Sequence, residues 1–294
     1  MKTLGFIGTG GMGSGMAANL IKAGYRLVVN DLRREQARAL ESQGAVFGDS
    51  PRAVAESCEM VLSMLPYNDA VRTVGLGGGG LCEAASGAKL WVDFSSIDKK
   101  TIVGVDAELR KKDWTVLDGS AGGVEEAAAA GTLSLWISGS KDLFDEHQPV
   151  FKAMGKKILH VGELGNAKLV KNAMAMFAAI QHLGLAEIFS WLKTGGVTEK
   201  TFHTVLQNSQ QSSEAINRIC EIVVSRKYKP RKSWMPKDVG FGLDMAREME
   251  VPVPFTALAY QMFAIAQATG LDEYEATGIA CNVFDLITGQ IKGA

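Results

Sequence analysis

Residues 4–20 read LGFIGTGGMGSGMAANL, an apolar run followed by a glycine-rich segment and a helical pattern of apolar residues. The glycines at Gly8, Gly10 and Gly13 have the spacing GxGxxG. In a strand–turn–helix unit the first glycine permits a tight turn, the second lets the backbone approach a pyrophosphate, and the third lets the helix pack closely on the strand. The predicted contacts in this segment are Gly8, Gly10, Gly11, Met12 and Gly13. The spacing predicts a dinucleotide site, against the alternative of a purely structural glycine turn.

The acidic residue Asp31 ends the next predicted strand, at the distance from the glycine turn where a ribose is usually bound. Its carboxylate would accept hydrogen bonds from the adenosine ribose hydroxyls and would repel a 2′-phosphate. Arg33 and Arg34 follow at once, and they would hold a 2′-phosphate if Asp31 turned away. The sequence therefore favours NAD as the cofactor and leaves NADP open.

Outward from this unit, short apolar runs alternate with helical patterns, which is typical of βαβ units and a parallel sheet. The predicted strands are 3–7, 26–30, 60–64, 90–94, 115–117, 133–138 and 158–161, and the helices between them include 12–23, 33–43 and one that begins at Pro51. Beyond residue 165 the predicted elements are all helices, at 167–193, 199–208, 213–225, 237–248, 256–269 and 273–288. We predict an α/β fold with a dinucleotide-binding domain over 1–162 and an all-helical domain over 163–294.

The composition is that of an ordinary globular protein without a strong charge. The 294 residues include 31 Lys and Arg against 32 Asp and Glu, a formal net charge of -1, so nucleic acid and anionic membranes are disfavoured as partners. The four cysteines are scattered, with no CxxC pair, so we expect free thiols and no metal site. The N-terminus lacks the continuous apolar region of a signal peptide, so we expect a cytoplasmic protein.

The predicted helix at 167–193 is too long and too apolar for one small domain to cover. We therefore expect it to run through the centre of a dimer or of a domain junction, and we expect a homodimer or homotetramer. Gln181, His182 and Glu187 interrupt its apolar sequence, which is costly in lipid, so no membrane span is expected.

Five segments in order along the chain resemble those of a known family. They are GFIGTGGMGSGMAANL at 5–20, VLSMLP at 61–66, VDFSS at 92–96, GTL at 131–133 and the pair Lys237-Asp238. The sequence is similar to the β-hydroxyacid dehydrogenases, which include 3-hydroxyisobutyrate dehydrogenase and are related to 6-phosphogluconate dehydrogenase. The resemblance implies an N-terminal Rossmann domain, a helical C-terminal domain for substrate and oligomerisation, and hydride transfer between NAD(H) and a small β-hydroxy acid or its semialdehyde.

The resemblance also implies roles for single residues. Lys171 matches the catalytic lysine, which would act as base in oxidation and as acid in reduction. Further cofactor contacts would come from Met64, Leu65, Pro66, Ser96 and Lys237. The acidic substrate would be bound by Ser120, Gly122, Gly123 and Asp238.

From the residues alone, a purely structural role stays open for several of these positions. Met64 to Pro66 could simply end a buried strand, Ser96 could cap a helix that begins at Ile97, and Lys237 could be solvated. Lys168 and Lys171 lie three apart on one helix, and either could point to water.

The chain departs from the family pattern at two places. Met174 and Ala175 stand where the family has an amide three and four residues after the catalytic lysine, and Gly122 stands where it has a substrate-binding serine. Ser120 or main-chain N–H groups would then hold the head group. The departures leave open a sulfonated, neutral carbonyl or imine substrate, and also a non-catalytic dinucleotide sensor or scaffold.

Overall fold

The computed structural model describes residues 2–230 and 233–290. The chain divides into two compact units, Met1–Lys171 and Asn172–Ala294. This division falls inside the long helix that connects them, whereas the boundary predicted from sequence, after Gly162, precedes that helix.

The first unit is built on one eight-stranded sheet. Its strands are β1 Thr3–Ile7, β2 Arg26–Asn30, β3 Val46–Phe47, β4 Met60–Ser63, β5 Leu90–Asp93, β6 Thr115–Gly122, β7 Leu133–Ser138 and β8 Gly155–His160. Their order is β3-β2-β1-β4-β5-β6-β7-β8, and every neighbouring pair is parallel except β6 with β7. The strand order reverses beside β1, so the carboxyl ends of β1 and β4 lie where open α/β sheets bind their ligands.

Helices cover both faces of this sheet. They are α1 Gly11–Lys22, α2 Arg38–Glu41, α3 Pro51–Glu56, α4 Asn68–Leu76, α5 Lys99–Arg110, α6 Glu125–Ala129, α7 Lys141–Glu146 and α8 Gln148–Met154. Successive strand residues alternate between two apolar clusters, with Phe6 in one and Ile7 in the other. Burial on both faces explains why the strands are continuous apolar runs. The predicted Rossmann-type fold is confirmed.

Several local elements differ from those predicted from the sequence. The helix predicted at 33–43 is a single 3-10 turn, Arg34–Gln36, followed by the short α2. The alternative that Ser96 caps a helix from Ile97 is excluded, because Asp98 accepts a hydrogen bond from the Thr101 N–H and α5 begins at Lys99. The two-residue strand β3 was not predicted. Strand β6 also runs five residues beyond the predicted end, through Gly122.

The second unit is helical in its described part. Helix α9, Asn166–Thr194, leads into it, and α10 Glu199–Gln207, α11 Glu214–Ser225, α12 Met235–Glu248, α13 Pro254–Ala268 and α14 Ala276–Ile287 follow. Length and composition alone would let α9 cross a bilayer, but the core helices of soluble proteins meet the same criterion. Four α9 side chains, Ala179, Leu183, Ala186 and Phe189, are buried in the unit's core.

Candidate functional site

The glycine turn between β1 and α1 has almost no room for side chains. Gly8 has φ +89°, and a Cβ there would lie 2.3 Å from the Met64 carbonyl oxygen. A Cβ on Gly13 would lie 1.9 Å from the Gly8 carbonyl oxygen. The first and third glycines therefore have the structural roles predicted for them, since both contacts are with rigid backbone.

The space beside the middle of the turn suits a phosphate. An added Cβ on Gly10 would meet nothing within 4 Å, so the backbone is open to solvent at this point. Helix α1 begins at Gly11 without a side-chain cap and without an acidic residue in its first turn. Its first N–H groups and its dipole therefore favour an anion such as a pyrophosphate.

One carboxylate lies next to this helix end. Glu125 Oε1 is 2.0 Å from the position that a Cβ on Gly11 would take. Glu125 is an exposed residue on a flexible side chain, so its carboxylate can move when another anion approaches. The residues of the turn fit a dinucleotide.

The carboxylate of Asp31 is fixed at the edge of the turn. Its Oδ2 accepts hydrogen bonds from the N–H and the hydroxyl of Thr9 at 2.8 and 3.3 Å, and its Oδ1 accepts one from the Arg33 N–H at 3.0 Å. Each carboxylate oxygen has capacity for further donors, such as ribose hydroxyls. The orientation that would discriminate against a 2′-phosphate is thus held by the backbone.

The two arginines after Asp31 differ in their surroundings. Arg34 pairs with Glu41 at 3.2 Å, and its guanidinium lies 4.7 Å from the centre of the Phe47 ring. The Arg33 side chain is exposed. Arg33 is consequently the freer of the two to meet a 2′-phosphate.

The loop after β4 is attached to the sheet next to the glycine turn. Met64 donates its N–H to the Ile7 carbonyl at 3.0 Å, and Leu65 donates its N–H to the Ser95 hydroxyl at 2.8 Å. Pro66 follows directly. Buried Ser95 therefore anchors this loop through its hydroxyl.

Lys168, in the first turn of α9, is completely buried among oxygen atoms. Its Nζ lies 2.8 Å from the Gly119 carbonyl oxygen, 2.9 Å from the Asp93 carbonyl oxygen and 3.1 Å from Asp93 Oδ2. Asp118 Oδ1 lies at 3.0 Å. The expectation that Lys168 could point to water is wrong, and sequence reasoning did not identify this cluster.

Lys171 follows one helical turn later and is half-buried. In the part of the chain that the structure describes, its amine has no hydrogen-bond or ion-pair partner. Of the two lysines in this segment, Lys171 is thus the one whose amine is available to a substrate.

The predicted substrate residues Ser120, Gly122 and Gly123 lie at the end of β6. Ser120 is buried, and its hydroxyl has no hydrogen-bond partner in the described ranges. A Cβ on Gly122 would lie 2.6 Å from the Trp136 ring, so this aromatic side chain fills the place of any side chain at 122. Gly123 is exposed with φ +136°, which favours glycine.

The remaining predicted residues belong to the second unit. In α12, Lys237 Nζ lies 3.7 Å from Asp238 Oδ1 and within 5.6 Å of the ring centres of Trp234 and Phe241. Met174, at one of the two positions where an amide was expected, is 47% exposed. Over residues 2–230 and 233–290, no group of three or more His, Cys, Asp or Glu side chains is arranged to hold a metal ion.

Comparison with known proteins identifies the family. Residues 3–162 match the NAD binding domain of 6-phosphogluconate dehydrogenase, and residues 165–281 match the NAD-binding region of NADP-dependent 3-hydroxyisobutyrate dehydrogenase. The chain is also 32% identical to the 3-hydroxyisobutyrate dehydrogenase of Pseudomonas aeruginosa, over 92% of this chain and 96% of that protein. The chain belongs to the β-hydroxyacid dehydrogenase family.

Two further matches cover nearly the full length of the dehydrogenase. The 2-(hydroxymethyl)glutarate dehydrogenase of Eubacterium barkeri is 29% identical, with 97% of this chain and 96% of that protein covered. The structure of Mycobacterium tuberculosis 3-hydroxyisobutyrate dehydrogenase with L-serine has a TM-score of 0.88 at 26% identity, over 96% of this chain and 99% of that one. The family resemblance seen in the sequence is confirmed. This chain is an NAD(P)-dependent oxidoreductase of the class that acts on small hydroxy acids.

Proposed function

We propose that the dehydrogenase interconverts a small β-hydroxy acid and its semialdehyde with NAD(H), and that Lys171 transfers the proton. The observation that carries this proposal is the contrast between two lysines one turn apart. Lys168 is saturated by oxygen partners, whereas Lys171 is half-buried and has no partner among the described residues. Of these two lysines, Lys171 is the one whose amine a substrate could use for proton transfer.

The chemistry requires one group besides the nicotinamide, which when bound supplies the hydride acceptor or donor. In oxidation, the neutral amine of Lys171 takes the proton of the substrate hydroxyl; in reduction, its ammonium form returns that proton to the carbonyl oxygen. The ammonium form also stabilises negative charge that develops on this oxygen. General acid–base groups of this kind typically contribute about 10²–10⁴-fold in rate.

The cofactor contacts follow from the glycine turn outward. We assign the pyrophosphate to the backbone of Gly8 and Gly10 to Gly13, including Gly11 and Met12, and the adenosine ribose to Asp31. The nicotinamide half would lie along Met64, Leu65 and Pro66. The fixed Asp31 carboxylate supports NAD as the preferred form.

Two further residues are assigned to the cofactor by family resemblance. They are Ser96 in the first unit and Lys237 in the second.

The head group of the substrate is assigned to Ser120, Gly122, Gly123 and Asp238. The free hydroxyl of Ser120 and the exposed backbone of Gly123 support this assignment. The Trp136 ring packs on Gly122 and occupies the space that the side chain of the family's serine would take. We propose an acidic substrate bound mainly by main-chain N–H groups and one hydroxyl.

We also propose a cytoplasmic homodimer or homotetramer. Large apolar side chains on the second unit support self-association: Phe177 is 57% exposed, Trp191 71% and Phe255 73%. Light scattering of the purified protein would test the assembly, and a monomer at micromolar concentration would contradict it.

The test of the reaction is cofactor turnover across a panel of compounds. The panel contains β-hydroxy acids, their semialdehydes, a sulfonated analogue, and a neutral ketone and an imine. We expect the wild type to turn over a carboxylate compound fastest, and Lys171→Met to lose about 10²–10⁴-fold in kcat.

Lys152→Met, an exposed lysine on α8, serves as the control and should retain wild-type activity. Faster turnover of the sulfonate, ketone or imine would replace the proposed substrate class. Activity that survives Lys171→Met would remove the proposed proton transfer.

A further inference from the structure

The ammonium group of Lys168 is bound by two neighbouring strands at once. Asp93 ends β5, Asp118 lies opposite it in β6, and Gly119 follows in β6. Four oxygen atoms from these residues lie within 3.1 Å of Nζ, whereas an ammonium group has only three protons to donate. Lys168 therefore has no donor left for a substrate, and any role it has in the reaction is indirect.

The charges of this cluster require the lysine to stay protonated. Burial acts to lower the pKa of Lys168, but the carboxylates of Asp118 and Asp93 outweigh it and raise that pKa above its ordinary value. Burial raises the pKa of Asp118 as well, despite the neighbouring ammonium group. Without the cation, two carboxylates would face each other away from water, which is strongly unfavourable.

From one side of the cluster, hydrogen bonds lead to the loop after β4. Asp93 Oδ1 accepts a hydrogen bond from the Ser95 hydroxyl at 2.6 Å, and the Ser95 oxygen accepts one from the Leu65 N–H at 2.8 Å. Ser63, at the end of β4, donates to the same Asp93 oxygen at 2.6 Å. The position of the loop proposed to lie beside the nicotinamide thus depends on the orientation of Asp93.

From the other side, hydrogen bonds lead to the beginning of α9. Asp118 Oδ2 accepts the Ser138 hydroxyl at 2.9 Å and the Lys168 N–H at 3.2 Å. The Ser138 oxygen in turn accepts the Ala167 N–H at 3.1 Å. The backbone N–H and the side-chain ammonium of Lys168 therefore contact the same carboxylate, and the Ala167 N–H is linked to it through Ser138.

We infer that Lys168 is a positioning residue for the proposed reaction. Its ammonium group holds the first turn of α9 against β5 and β6, and so fixes Lys171, one turn later, relative to the loop of Leu65 and the strand of Ser120. The inference rests on the proposed role of Lys171 and adds to it a residue that never touches substrate. Displacing a catalytic group by about 1 Å can cost about 10²-fold in rate, so the effect should be large.

The test replaces the lysine without changing the net charge of the cluster. Wild type carries one cation and two carboxylates, and the double variant Lys168→Met/Asp118→Asn keeps the single carboxylate of Asp93, so both have a net charge of -1. Lys168→Arg retains the cation as a conservative variant, and Lys152→Met on α8 is the control. The readouts are thermal melting, the Kd of NADH by fluorescence, kcat, and the isotope effect with NADH deuterated at the transferred position.

We expect the double variant to melt cooperatively and to bind NADH within about threefold of wild type, while kcat falls about 100-fold and the isotope effect on kcat rises. Lys168→Arg should recover part of the lost kcat. A folded double variant with wild-type kcat and isotope effect would overturn the inference. So would a loss confined to NADH affinity. If the double variant does not fold, Lys168→Arg alone decides by the same readouts, because it keeps a cation in the cluster but changes its position; wild-type kcat and isotope effect in that variant would then overturn the inference.

Lys171→Met, measured in parallel, separates this inference from the proposed function. An active Lys171→Met variant removes the proton-transferring role of Lys171, on which this inference rests. An inactive Lys171→Met variant beside a wild-type-like Lys168 variant removes only the positioning role.

Discussion

Restoring the family's serine at Gly122 should destabilise this dehydrogenase unless Trp136 is reduced at the same time. A Cβ on Gly122 would lie 2.6 Å from the end of the Trp136 ring and 3.2 and 3.3 Å from two further ring carbons. No real Cβ contact is as short as the first, so the ring or the strand must move. Overpacking of this kind typically costs about 1–3 kcal/mol, and we expect Gly122→Ser to lose that much unfolding free energy.

A double-mutant cycle with Trp136→Leu isolates this contact. In the leucine background the ring is gone, so Gly122→Ser should cost close to nothing, which gives a coupling energy of about 1–3 kcal/mol. Denaturant unfolding followed by circular dichroism measures each free energy, with unchanged m-values as the condition for comparing midpoints. Gly104→Ser is the matched control, since a Cβ at Gly104 meets nothing within 4 Å. An equal cost of the serine in both backgrounds would refute the reasoning.

Three further predictions concern the cofactor turn and the thiols. Gly10→Ala should leave the unfolding free energy unchanged but weaken NADH binding, as measured by calorimetry. Gly13→Ala should lower the unfolding free energy by about 1–3 kcal/mol, because its Cβ would lie 1.9 Å from a carbonyl oxygen. Equal stabilities of the two variants would contradict this. Asp31→Ser should raise the affinity for NADPH relative to NADH about fivefold, because it removes roughly 1 kcal/mol of repulsion between the carboxylate and a 2′-phosphate 4 Å away. An unchanged ratio of the two Kd values would count against the assignment of the ribose to Asp31. Burial raises the pKa of Cys58 to about 12, so at pH 8 iodoacetamide should label half-buried Cys82 and leave Cys58 unmodified until the protein is unfolded; native labelling of Cys58, seen by mass spectrometry, would contradict its burial.

The alternation of strands and helices could be predicted because it follows from local periodicity. The GxGxxG turn and Asp31 could be predicted for the same reason, since the chemistry of a phosphate-binding helix end is encoded within one βαβ unit. The end of β6 could not. Gly119 and Gly122 lower its strand propensity, and this stretch is held as a strand by antiparallel pairing with β7.

The buried cluster around Lys168 depends on contacts far apart in sequence. Its amine meets Asp93 and Asp118, 75 and 50 residues away, so helix periodicity alone could not place it inside. One signal was available: both aspartates follow apolar runs predicted as neighbouring strands, and two buried carboxylates at matching strand ends require a cation nearby.

The most direct test of the central claim is single-turnover hydride transfer in both directions, measured for the wild type and for Lys171→Met. If Lys171 moves the proton, the variant should slow alcohol oxidation and carbonyl reduction alike by about 10²–10⁴-fold, because the same amine serves both directions. Hydride transfer at the wild-type rate in Lys171→Met, in either direction, would contradict the account.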